Sequence, residues 1–111
     1  PMWEVGERYE NIHEALELGN YDLALYHWRK IKTTIENGTM KRPTRAENAK
    51  LMLLDSNWDR VRKGFATRKP TKAWEAFGLA RSACMSCHVA EDVEYINDQS
   101  LFLDLKSPDN E

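Results

Sequence analysis

Apolar residues recur along this chain at intervals of three and four, the period of a helix with one buried face. From Met2 to Leu18 the stripe is Met2, Val5, Gly6, Tyr9, Ile12, His13 and Leu16, which predicts a first helix. Gly19-Asn20 closes it, because glycine suits the left-handed position after a helix and Asn20 can cap the next one. A second helix is predicted from Tyr21 to Glu36, with Ala24, Trp28, Ile31 and Ile35 inward and Asn37-Gly38 as its stop. Thr39 to Pro43 reads as a loop. Thr44 then caps a third helix, with Glu47 in capping-box spacing. This helix is predicted to reach Ala66, carrying Leu53, Leu54, Asn57, Val61 and Phe65 at helical intervals. Lys69-Pro70-Thr71 breaks the chain again, and Thr71 is the expected cap of a fourth helix from about Lys72 to beyond His88, with Pro70 as its first residue the lesser option. Its stripe is Ala73, Phe77, Ala80, Cys84, Cys87 and His88.

Strand patterning is nearly absent, since no run of β-branched residues alternates with polar ones. Four helices with short connections predict an all-α domain over residues 1–95, an antiparallel up-down-up-down four-helix bundle. After Val93 the periodicity decays, and residues 96–111 are expected as an irregular C-terminal tail. Leu101, Phe102, Leu103 and Leu105 are apolar enough to pack back on the bundle.

Composition narrows the class without naming a partner. The 111 residues are 41% hydrophobic and 31% charged, values of a globular chain. The mean hydropathy is −0.70, and no apolar run approaches a membrane span. Sixteen basic and 18 acidic residues are well mixed, for a net charge of −2, and no basic stripe suggests nucleic acid. The sequence opens at Pro1 without the basic start and apolar stretch of a signal peptide, as expected of a processed or trimmed chain.

The two cysteines change the picture. They fall in Cys84-Met85-Ser86-Cys87-His88, the Cys-x-x-Cys-His signature of c-type haem attachment. Two thiols spaced i, i+3 on a helix share a face and can reach the two vinyl groups on one porphyrin edge. His88, four residues from Cys84, lies on that face and is the expected axial iron ligand. By chance such a run arises in about one chain in a thousand of this length. The competing readings are a thiol–disulfide centre, a zinc site and an accidental pair of core cysteines. The first usually follows a βαβ pattern, missing here. The second needs further ligands, and His13 and His27 are isolated in sequence. Trp28 and Phe77, on inner stripes, are candidate haem walls, and Arg81 a candidate propionate contact; core packing and a solvated arginine are the plainer alternatives.

A late Cys-x-x-Cys-His on the fourth of four amphipathic helices resembles the class II cytochromes c, the cytochrome c-prime type. The resemblance covers residues 2 to about 95. It implies one covalent haem c near one end of the bundle and a first-helix residue on the distal side. The matching element is Met2-Trp3-Glu4-Val5-Gly6. Met2 is then the expected sixth ligand, and Gly6, one turn on, would let the helix approach the macrocycle. His13 is the rival ligand and a vacant position the third option; Met40, Met52 and His27 are lesser ones. The resemblance also implies a homodimer through the first two helices, and because haem attachment of this type takes place outside the cytoplasm, a bacterial periplasmic location is expected. Electron transfer with redox partner proteins is the leading expectation. An open distal site would instead fit binding or sensing of NO or CO, and the tail would fit docking as a subunit of a larger oxidoreductase. No organised acid–base pair accompanies the motif, so enzymatic catalysis is not expected.

Overall fold

The computed structural model describes residues 2–41, 47–50, 54–55 and 57–105, and every regular element among them is helical. Helix α1 spans Met2–Glu17 and α2 spans Tyr21–Lys41. Between them Gly19 adopts φ +69°, its N–H bonding the Leu16 carbonyl while the Asn20 N–H bonds that of Ala15. This pair of bonds around a left-handed residue is a Schellman closure, which glycine accepts without a Cβ clash. The Asn20 Oδ1 then accepts from the Leu23 N–H at 3.2 Å, capping α2 as expected.

Three expectations need correction. Helix α2 does not stop at Asn37-Gly38 but continues to Lys41. A mid-helix glycine costs about 1 kcal/mol yet breaks no hydrogen bond, and Gly38 keeps a right-handed backbone. The third segment is not one continuous helix. Residues 47–49 are helical, but the Asp55 N–H bonds the Lys50 carbonyl, five residues back, and a turn at Asp55 and Asn57 precedes α3, Trp58–Ala66. Thr44 and Leu53 lie outside the described residues. Finally, α4 runs Pro70–Ala90 with Pro70 in its first turn, so Lys69 rather than Thr71 is the boundary residue. Proline lacks the N–H that a first turn leaves unpaired, and it holds Lys69 extended.

Beyond α4 the chain reverses at Asp92, which takes φ +59°. The Asp92 N–H bonds the Val89 carbonyl and the Val93 N–H that of His88, a second Schellman closure. A 3-10 turn, Glu94–Asp98, and a short helix α5, Ser100–Leu103, follow where an irregular tail was expected. Phe102 enters the core, Leu101 and Leu105 pack on it, and Leu103 stays half exposed.

Helix α1 packs mainly on α2, α3 on α4 and α2 on α3, with a shorter contact between α1 and α4. The shared core includes Tyr9, Ile12, Trp28, Ile31, Val61, Phe65 and Phe77. Four predicted stripes thus meet where the periodicity requires. Gly64 lets α3 and α4 touch: a Cβ there would collide with the Ala76 Cβ and lie 3.1 Å from the Lys72 carbonyl oxygen. No described helix is long and apolar enough to cross a membrane.

Candidate functional site

Helix α4 presents Ala73, Ala76, Ala80 and Ala83 to the core, and these small side chains bring its backbone close to its neighbours. The last turns of the same helix carry Cys84, Cys87 and His88. Both cysteines are half-buried thiols, neither in a disulfide. Cys84 packs against the core, and burial pushes its thiol up to about 12, with the Cys87 sulfur adding to the effect. His88 is only 8% exposed, the one polar side chain among the described buried residues.

Two groups meet the His88 ring. Its Nδ1 lies 2.8 Å from the Asn97 Oδ1, in the 3-10 turn. Asn97 in turn donates from Nδ2 to the Met85 carbonyl at 3.1 Å, inside the Cys-x-x-Cys loop. Phe102 stands edge-on to the imidazole, with ring centres 5.4 Å apart. A ladder of rings continues from there: Phe102 to Tyr9 at 5.4 Å, Tyr9 stacked on Phe77 at 4.8 Å, Phe77 edge-on to His13 at 5.4 Å. Burial raises the Tyr9 phenol well above its ordinary value, and the nearby Cys84 sulfur adds to the effect. The Tyr9 hydroxyl donates to the Leu105 carbonyl at 3.4 Å.

The residues singled out from sequence are distributed as follows. Cys84, Cys87 and His88 share the end of α4. Phe77 joins their neighbourhood through Tyr9. Arg81 is partly buried, and its guanidinium donates from Nε and Nη2 to the Phe102 carbonyl. Gly6 faces the side chain of Leu101, which an added Cβ would meet at an ordinary 3.5 Å. The ring contacts of Trp28 are with Trp58 and Phe65, and its Nε1 donates to the Trp58 carbonyl at 2.9 Å, so it serves the α2–α3 contact. His13 is separated from His88 by the rings of Phe77, Tyr9 and Phe102, and its Nδ1 pairs with Glu17 at 3.2 Å. His27 takes a bond from Arg8 on the α1–α2 side. Met2 begins α1, but its side chain lies outside the described residues, as do those of Met40 and Met52.

Sequence reasoning missed Asn97. It sits nine residues beyond His88, after a reversal at Asp92 that no glycine or proline signals. Phe102 was visible only as an apolar residue, not as a neighbour of His88.

No family model, curated protein or solved structure matches the chain. The site must therefore be judged on its own chemistry. Among the described residues no three His, Cys, Asp or Glu side chains converge to hold a bare metal ion, the Cys84, Cys87 and His88 set included. A dithiol exchange centre depends on a lowered thiol pKa, whereas Cys84 is raised. The donor set does fit a haem c. Two reduced sulfurs lie one helical turn apart, and the imidazole beside them is held at Nδ1 by Asn97, which suits ligation through its other nitrogen. Residues 94–105 cover this end of the helix, and open grooves of about 560 and 680 Å³ run along them rather than over the thiols.

Proposed function

We propose that this chain is a monohaem c-type cytochrome that transfers single electrons. The observation that carries the reading is the Cys-x-x-Cys-His run at the buried end of α4, with neither thiol in a disulfide and the His88 Nδ1 tied to Asn97. Cys84 and Cys87 each add across a vinyl double bond of the porphyrin. Sulfur bonds to the inner carbon and the thiol hydrogen ends on the outer one, so no oxidant or reductant is consumed. The bound haem supplies the ferric–ferrous couple. His88, through Nε2, and Met2 of α1 are the residues that would hold the iron. A methionine sulfur there favours the reduced state relative to a second nitrogen ligand. The aromatic packing of Phe77, Tyr9 and Phe102 keeps this end of the molecule apolar and limits water.

The three-residue links at 18–20 and 67–69 suit antiparallel neighbours, and so the up-down-up-down order with the haem near one end. Partners are redox proteins met in brief encounters, and the compartment is the bacterial periplasm, where such attachment takes place. Trp3, 71% exposed on α1, is available to a homodimer contact through α1 and α2.

Expression with a c-type maturation system provides the test. One haem should add to the mass of the chain, and acid–acetone should leave the colour on the polypeptide. A bare-chain mass, or full extraction, refutes the reading. In the oxidised spectrum a sulfur-to-iron band that Met2→Ala abolishes supports Met2. A high-spin spectrum that responds to NO or CO in the unsubstituted protein would move the function to gas binding.

A further inference from the structure

We infer that Asn97 is the positioning residue that fixes the proton of His88 on Nδ1 and so commits Nε2 to iron. The inference deepens the proposed function and rests on it for the identity of the metal, though not for the tautomer.

Donors and acceptors around Asn97 decide its orientation. An Asn side chain has one accepting oxygen and one donating nitrogen, and which faces which neighbour follows from the neighbours. The Met85 carbonyl, 3.1 Å from Asn97, can only accept. The Asn97 Nδ2 must therefore point to it, and Oδ1 is left facing His88 at 2.8 Å. An oxygen that can only accept requires a proton on Nδ1 of the ring. A neutral imidazole carries one such proton, so Nε2 is bare and available to a metal. Without this contact, neutral histidine in water populates both tautomers, and the Nε2–H form cannot bind iron through that nitrogen.

The same bond adds two further effects. It prevents the ring from rotating about its χ2 axis, because Phe102 sits edge-on at 5.4 Å and Asn97 holds Nδ1. It also ties the His88 imidazole to the backbone of the Cys-x-x-Cys loop through Met85, so the ligand and its attachment loop move as one unit. An acceptor on Nδ1–H raises the basicity of the opposite nitrogen, and that strengthens its bond to the metal. Asn97 reaches this place because the Asp92 reversal folds the 3-10 turn back along α4, held by the Val93 N–H on the His88 carbonyl at 2.8 Å.

Two substitutions separate this role from simple anchoring. Asn97→Leu removes both acceptor and donor. Asn97→Asp keeps an acceptor for His88 and removes the donor to Met85. The first readout is the side-chain nitrogen-15 spectrum of His88 in the haem-free chain above pH 7. The unsubstituted protein and Asn97→Asp should show the Nδ1–H tautomer, and Asn97→Leu a mixture. The second readout is the reduction potential of the haem-loaded protein. It should be lowest for Asn97→Asp and highest for Asn97→Leu, since a stronger acceptor makes a more basic ligand. An Nε2–H tautomer in the unsubstituted chain overturns the inference, as does identical behaviour of the two variants. A chain that shows the Nδ1–H tautomer but takes up no haem refutes the cytochrome reading and leaves the role of Asn97 in place.

Discussion

Two glycines on facing helices should respond in opposite directions to the same substitution. Gly64 and Gly78 both lie inside helices, where replacement by alanine gains up to about 1 kcal/mol from propensity alone. Around Gly78 nothing lies within 4 Å of the new Cβ, so the propensity term stands and Gly78→Ala should stabilise by about 0.5–1 kcal/mol. At Gly64 the new Cβ meets the Ala76 Cβ and stands 3.1 Å from the Lys72 carbonyl oxygen. Neither atom is the far end of a flexible side chain, so relief requires α3 and α4 to separate. Overpacking of this kind costs about 1–3 kcal/mol and more where backbone must move. Taking ~3 kcal/mol against the ~1 kcal/mol propensity gain leaves Gly64→Ala about 2 kcal/mol less stable. At roughly 4–8 °C per kcal/mol, the midpoint should fall by about 10 °C, while Gly78→Ala rises by a few degrees. Circular dichroism at 222 nm during heating measures both. Gly64→Ala at or above the parent midpoint would show that α3 and α4 do not approach as described, and with it would go the placement of α4 against its neighbours.

Further outcomes follow from single contacts. Arg81→Met removes two charge-assisted bonds to the Phe102 carbonyl and should cost about 1.5–3 kcal/mol locally. Amide hydrogen exchange should then speed up across residues 94–105 and stay unchanged in α2; a uniform change, or none, contradicts the anchoring role. His27 is held below its ordinary value by burial, then by the charge of Arg8, whose guanidinium also donates to its Nδ1. The folded chain thus binds fewer protons there than the unfolded one, and stability is lost as pH falls from about 6.5 toward the lowered folded value. Denaturant titrations of the parent and His27→Gln should converge above pH 7 and diverge below it, with the variant losing less; parallel curves would dismiss His27 as a source. Gly6→Ala puts a methyl at ordinary contact distance from Leu101 and should leave stability level or slightly higher; a large loss would mean a tighter approach than described.

The inner stripes were legible because burial on one face imposes a period on the sequence. Val5, Tyr9, Ile12 and Leu16 of α1, Ala24, Trp28 and Ile31 of α2, and Val61 and Phe65 of α3 are all buried as the spacing implies. Gly19-Asn20 was legible for a different reason, since a left-handed residue and a capping side chain leave their own local mark. What failed were features set by non-local energy. Asn37-Gly38 carries every stop signal, yet the α2 ladder runs through it. Conversely, Asp92 adopts a left-handed backbone without glycine, because the Schellman bonds to His88 and Val89 and the packing of Phe102 outweigh the Cβ penalty. The site divides the same way. Cys84, Cys87 and His88 form a contiguous motif and announce themselves. Asn97, Tyr9 and Phe102 reach His88 or Cys84 only through tertiary packing, and no spacing in the sequence encodes that meeting.

The buried acids at this site make alkaline pH the condition that best tests its packing. Cys84 and Tyr9 both titrate above their ordinary values in the folded chain, chiefly because burial penalises the ionised form. In the unfolded chain the thiol ionises near 9.0 and the phenol near 10.0. Above those values the unfolded state sheds protons that the folded state keeps, so stability falls as pH rises from about 9. The Cys84 share of the loss should end where its folded thiol ionises, at about 12, and the Tyr9 share should continue beyond that. Cys84→Ser and Tyr9→Phe should each flatten part of this slope, and Tyr9→Phe should do so at small cost near neutrality, because its hydroxyl makes only one long bond, to Leu105. The raised thiol makes Cys84 a slow nucleophile, so iodoacetamide at pH 8 should label it more slowly in the folded chain than in urea. Equal labelling in the two states, or stability flat from pH 9 to 11, would mean that the sulfur faces water.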